Sequence, residues 1–176
     1  VISSSRRLSF GRGEVDIAVM IGTVEEDSLV IRPVSEAGWA LYAAEGYLAG
    51  APPFGTAADL TRHRVLGLPP ELSDQPAASW LREKAGEAII PLNLSPISEV
   101  VAAAAESAGI ALLPCLLADR EPRLKRLLPD VLVVCHPVTL VYRPDIAEDR
   151  DGRLVLRTLA AALGEVSGAF RGEKAA

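Results

Sequence analysis

Leu94–Pro114, LSPISEVVAAAAESAGIALLP, carries a helix pattern straight into a strand pattern. Ser95 is a good N-cap, and Pro96 suits the first helical position because its missing N–H would be unpaired there anyway. Gly109 can supply a left-handed turn that ends the helix. The spacing predicts a helix over Ile97–Ser107 whose alanines let a neighbouring backbone come close, followed by a buried strand, IALL, at Ile110–Leu113. The helix start would also expose backbone N–H groups at the positive end of its dipole, a seat for a carboxylate or other anion. On the residues alone it reads first as a capped core helix, since most capped helices bind nothing.

The same alternation extends outward. Val15–Ile21 (VDIAVMI), Leu29–Val34, Trp39–Ala44, Val131–Cys135 and Val138–Tyr142 are short apolar runs that predict strands. Helical patterns fall at Thr56–Thr61, behind a Pro-Pro-Phe-Gly turn, and at Ala77–Lys84 and Arg153–Leu163. In the last, Leu156, Leu159, Ala160 and Leu163 form one apolar face. Such alternation predicts α/β layers with helices covering a largely parallel sheet. The tail from Gly164 to Ala176 is small and polar and is expected to fray.

Composition narrows the function. With 176 residues, 49% hydrophobic and 23% charged, the chain can bury a core in one or two lobes and is not disordered. Its net charge of −5 and its scattered arginines give no basic face, so the chain itself is not expected to grip DNA. Cys115 and Cys135 both sit in apolar runs and are expected to be buried free thiols, in keeping with a cytoplasmic protein. No signal peptide or membrane-spanning run is evident. The chain starts Val1-Ile2-Ser3 without a methionine, which suggests a piece of a longer polypeptide.

Catalytic constellations are missing. His63 and His136 lack metal-ligand spacing, so no metal is expected, and both read as structural or surface histidines. There is no G-x-S-x-G elbow and no Ser-x-x-Lys arrangement. Gly11-Arg12-Gly13 reads as a turn rather than a phosphate loop, and Glu25-Glu26-Asp27 as a solvated loop. Neither an enzyme nor a cofactor is expected, and 5% aromatic residues cannot form a base-stacking platform.

Several segments, in order, resemble the effector-binding domain of LysR-type transcriptional regulators. Ser3–Gly22 (SSSRRLSFGRGEVDIAVMIG) carries a G-E-x-D-I-A-V element, and Trp39–Gly67 (WALYAAEGYLAGAPPFGTAADLTRHRVLG) carries Y-L-A and D-L-x-x-H-R elements. AAAAESAGIALLP, at 102–114, resembles the family's alanine-rich helix and strand, and LKRLLPD with HPVTLVYRP resembles its return crossover. The resemblance implies two Rossmann-like lobes joined by crossover strands, similar to type 2 periplasmic binding proteins. Lobe I would be discontinuous, 1–36 plus 138–176, with 37–137 as lobe II. The family domain opens with a further strand and helix, so lobe I is expected to be incomplete.

The resemblance also implies a small-molecule effector in a cleft. Its contacts would come from Ser95, Pro96 and Ile97 at the helix start, from Ser5 and Arg7, and from Ile21 at the end of a strand. An anionic metabolite fits Arg7 and the helix start, although Arg7 beside Arg6 reads equally as a solvent-facing arginine. Met20 stands where the family often carries arginine. DNA would be reached only through a helix-turn-helix absent from this chain, self-association into dimers and tetramers is implied for the full-length protein, and no membrane partner is expected. A solute-binding protein of a transporter is the rival reading on the same fold.

Overall fold

The computed structural model describes residues 10, 14–24, 26–90 and 94–173. The chain divides into two compact units, Val1–Ala37 with Cys135–Ala176, and Gly38–Val134.

The second unit follows from period-two alternation along two fully buried strands. Strand β2, Val30–Ala44, enters it at Gly38 and pairs antiparallel with β5, Ile110–Pro114, and with β6, Leu124–Arg126. Strand β3, Val65–Leu66, lies parallel to both β5 and β4, Ile89–Ile90. Ala40, Tyr42, Ala44, Ala111 and Leu113 face one apolar cluster, and Trp39, Leu41, Ala43, Ile110 and Leu112 face the other. A strand buried on both faces reads as an unbroken apolar run, which is why WALYAA and IALL look featureless. Helix α3, Ile97–Ala105, closes the first face with Val100, Ala104 and Ala105, and helix α2, Pro76–Ala85, closes the second with Ala77, Leu81 and Ala85. Short helices α1, Glu45–Leu48, and α4, Cys115–Ala118, follow β2 and β5.

In the first unit β1, Ile17–Ile21, pairs antiparallel with β7, Val134–Tyr142. Helices α5, Pro144–Glu148, α6, Arg150–Glu165, and α7, Ser167–Arg171, follow. Asp149 caps α6, its carboxylate accepting the backbone N–H of Asp151 and of Gly152, each at 2.9 Å. Ser35 Oγ meets Ser167 Oγ at 2.9 Å, tying α7 to β2. Among the described residues no helix is long and apolar enough to cross a membrane.

The α/β class and most elements match the sequence reading, with four corrections. The sheet is mixed: β3 runs parallel to β4 and β5, while β1 with β7 and β2 with β5 and β6 pair antiparallel. Two pairs of expected strands fuse: Leu29–Val34 and Trp39–Ala44 are one strand of 15 residues, and β7 runs through Pro137 from Val134, leaving Val131–Val133 outside it. The tail does not simply fray, since α7 buries Phe170. Cys115 is buried as expected, but Cys135 is exposed, because alternation along β7 turns His136 inward instead.

The end of α3 also differs. Ser107, at φ 64°, takes the left-handed position expected of Gly109. Gly109 serves another purpose: a Cβ there would lie 2.5 Å from the Arg64 carbonyl oxygen, which accepts the Ile110 N–H at 2.8 Å. The glycine lets β5 approach the backbone leading into β3.

Candidate functional site

The start of α3 forms the candidate wall in the second unit. Pro96, not Ser95, is the N-cap residue, and it offers no side-chain capping bond. Its extended backbone precedes the first turn, where the Glu99 N–H donates to the Pro96 carbonyl at 2.9 Å. The Ser95–Pro96 peptide is cis. The Ser95 hydroxyl donates to Glu71 Oε1, 24 residues away, and because the helix cap falls one residue later, at Pro96, Ser95 does not cap α3 as expected. Glu71 sits in a 3-10 turn, Pro70–Leu72, and the hydrogen bond from Ser95 holds its carboxyl below the usual carboxylate range. Ile97 is half-buried and packs against both apolar clusters, which fixes where the helix begins.

The chemistry of this wall has two opposed parts. First-turn backbone N–H groups at the positive end of the helix attract an anion. The exposed carboxylates of Glu71 and Glu99 repel one. A ligand carboxylate can use the Ser95 hydroxyl only by taking the place that Glu71 now holds.

The remaining expected site residues fall elsewhere. Ser5 and Arg7 lie outside the described residues, as does the Gly11–Gly13 turn. Ile21 ends β1 in the first unit and is 55% exposed. Met20 beside it is half-buried, and its carbonyl accepts Thr139 Oγ1 at 3.4 Å.

Two further polar clusters belong to the second unit. The Tyr42 hydroxyl donates to Asp119 Oδ1 at 2.7 Å and accepts from Arg126 Nε at 3.1 Å, while Arg126 Nη2 donates to Asp119 Oδ2 at 2.7 Å. Burial, with hydrogen bonds to Cys115 and Asp119, pushes the Tyr42 phenol far above its ordinary value. These groups satisfy one another, so the cluster clamps β6 and α4 to β2 rather than awaiting a ligand. His63 is buried at the end of a 3-10 helix, Ala57–Arg62. Tyr47 Oη accepts the Arg64 N–H at 2.9 Å and lies 3.2 Å from His63 Nδ1. Among the described residues no three His, Cys, Asp or Glu side chains gather for a metal.

Sequence reading missed Glu71 and the Tyr42–Asp119–Arg126 clamp. Their partners are 24, 77 and 84 residues apart, and no local spacing marks them. A surface concavity of about 300 Å³ also went unforeseen; it lies on α6, lined by Arg150, Asp151, Arg153, Leu154 and Arg157, and contains none of the expected site residues.

Comparison with known proteins follows the same lines. Residues 5–164 match the family model described as the LysR substrate binding domain. The regulatory domain of CrgA, a LysR-type transcriptional regulator from Neisseria meningitidis, superposes with TM-score 0.67 at 25% identity, over 87% of this chain and 78% of that one. The regulatory domain of AphB from Vibrio vulnificus gives 0.62 at 22% identity, over 85% and 76%. Full-length AphB from Vibrio cholerae gives 0.66 at 21% identity, with 89% of this chain covering 54% of that protein. Among curated proteins none matches the chain in sequence.

Proposed function

The chain belongs to the LysR substrate-binding domain family, and from that membership we propose that it senses a small-molecule effector for a transcriptional regulator. The single observation that carries this is the family match over residues 5–164, joined to an α3 start that presents Ser95, Pro96 and Ile97 on one wall. The family and the solved structures it resembles are regulatory domains, not enzymes.

In this reading the two units are the two lobes of the sensing domain, the second supplying the α3 wall and the first supplying Ile21 with Ser5 and Arg7. The effector is a small anionic metabolite whose carboxylate displaces Glu71 from the Ser95 hydroxyl and meets the first-turn N–H groups. Binding favours one arrangement of lobes and subunits and so shifts the oligomeric regulator on DNA, which a helix-turn-helix outside this chain contacts in the cytoplasm.

Titration calorimetry of the protein with a panel of mono- and dicarboxylates tests the reading. A binder should lose affinity in Ser95→Ala. It should bind roughly five-fold tighter to Glu71→Gln, the effect of removing one like charge of about 1 kcal/mol in water. Equal affinity in wild type and both variants, with the fold intact, refutes the assignment of this wall.

A further inference from the structure

Helix α3 ends in a turn that its sequence does not favour. The Ala108 N–H donates to the Ala103 carbonyl and the Ser107 N–H to the Ala104 carbonyl, each at 3.1 Å. These are the paired bonds of a helix stop whose left-handed position is usually glycine. Here that position is Ser107, at φ 64°, while Gly109 stands two residues further on. A left-handed residue with a Cβ persists only where its surroundings hold it. Two groups distant in sequence do so. A Cβ at Gly46 of α1 would lie 2.8 Å from Ser107 Oγ, so the glycine there leaves room for the serine side chain. Arg64 Nη2 donates to the Ser107 carbonyl at 3.2 Å, placing a cation at the negative end of the helix.

Arg64 is itself fixed through its backbone. Its N–H donates to Tyr47 Oη at 2.9 Å, its carbonyl accepts the Ile110 N–H at 2.8 Å, and its guanidinium carbon lies 5.2 Å from the centre of the Tyr47 ring. One residue thus joins α1, the entry to β3, the end of α3 and the start of β5. The body of α3 is held less directionally. Ile97, Val100, Ala104 and Ala105 pack into the apolar cluster, but apolar contact has no preferred direction, and alanines leave shallow ridges that interlock little. We propose that Arg64 is the positioning residue of the α3 wall: by holding the Ser107 turn it sets the direction of the helix, and so where Ser95, Pro96 and Ile97 stand for an effector. This rests on the reading of that wall as an effector contact. Nine residues make a rod about 13 Å long, so a tilt of about 10° at one end carries the other roughly 2 Å. A hydrogen bond tolerates only a few tenths of an ångström, so the bond from Ser95 to Glu71 reports any release of the far end.

Titration of the Glu71 carboxyl by NMR in the ligand-free protein gives the test. The hydrogen bond from Ser95 holds this group below the usual carboxylate range, and Ser95→Ala should raise it toward that range. Arg64→Met removes the bond to Ser107 but keeps the backbone bonds to Tyr47 and Ile110, so the fold should stand while Glu71 rises as in Ser95→Ala. Arg64→Lys keeps the stem over Tyr47 and a donor for the Ser107 carbonyl, and should restore the wild-type titration. Repeating the series at about 1 M salt, where exposed charges are screened beyond about 3 Å, separates displacement of the helix from mere loss of a cation. Any carboxylate that binds the wild type should bind Arg64→Met more weakly, as it does Ser95→Ala. The proposal is overturned by a Glu71 titration that Ser95→Ala shifts and Arg64→Met does not, by a shift in Arg64→Met that high salt abolishes, or by Arg64→Lys behaving as Arg64→Met. Should Arg64→Met unfold, Gly109→Ala decides: its Cβ would lie 2.5 Å from the Arg64 carbonyl oxygen and part the two backbones with no change of charge, so Glu71 must rise there too. If Glu71 rises as expected but no carboxylate binds, the effector reading falls and the hold of Arg64 on α3 stands.

Discussion

Gly109→Ala is expected to destabilise the protein although its backbone is not in the left-handed region. Replacing glycine by alanine at a compatible position stabilises by about 0.4–1 kcal/mol, because the unfolded chain loses freedom. Here the added Cβ would lie 2.5 Å from the Arg64 carbonyl oxygen, 3.1 Å from its carbon and 3.2 Å from Leu66 Cδ2. Two of these three are backbone atoms and cannot swing aside. Relief requires β5 to move away from the Arg64 segment, which strains the 2.8 Å bond from the Ile110 N–H and loosens the contacts of Leu66. Overpacking of this kind costs about 1–3 kcal/mol, and weakening one buried hydrogen bond costs up to about 1 kcal/mol more. After the entropic gain is deducted, a net loss of about 1–3 kcal/mol remains, or roughly 3–10 °C in Tm for a chain of this size. Urea unfolding followed by circular dichroism measures it. Gly164→Ala is the control, since nothing lies within 4 Å of a Cβ there, and it should be stabilising by up to about 1 kcal/mol through helix propensity. Gly109→Ala as stable as wild type, with Gly164→Ala behaving as expected, would refute the close-approach argument.

Three other outcomes follow from the structure. Arg126→Met removes the cation paired with Asp119 and the donor to the Tyr42 oxygen, leaving the two joined only to each other; because the Asp119 side chain is 37% exposed and water can reach it, the loss should be about 1–3 kcal/mol, below that of a fully buried pair, and thermal unfolding will show it. Asp59 accepts the backbone N–H groups of Gly55 and Thr56, each at 2.9 Å, and pairs with Arg62, which holds its carboxyl far below the usual range. A depressed carboxyl stabilises the fold above its unfolded value of about 3.9 and loses that contribution as pH falls toward the folded value, so a Tm series from pH 6 to 2 should show a shallower acid decline in Asp59→Asn than in wild type. Gly152→Ala, whose Cβ would lie 2.1 Å from the Ile146 carbonyl oxygen, should displace α5 from α6 and lower Tm despite the better helix former, whereas an unchanged Tm would refute that packing.

Features set by neighbours in sequence were legible without coordinates. Unbroken apolar runs announced β2 and β5, because a strand buried on both faces has no polar side to show. Helical spacing placed α2, α3 and α6 within a few residues of their ends. The ordered motifs from GEVDIAV to HPVTLVY carried the family. Tertiary structure decided whatever depends on groups distant along the chain. Ser95 looks like a cap, but the helix starts one residue later, after Pro96, and the Ser95 hydroxyl donates to the Glu71 carboxylate from a distant turn. Gly109 looks like a helix terminator, yet the close passage of Arg64 is what requires it, and Ser107 takes the turn. That β7 pairs with β1 is equally invisible in IAVMI, because a strand's neighbours are chosen by the sheet and not by the strand.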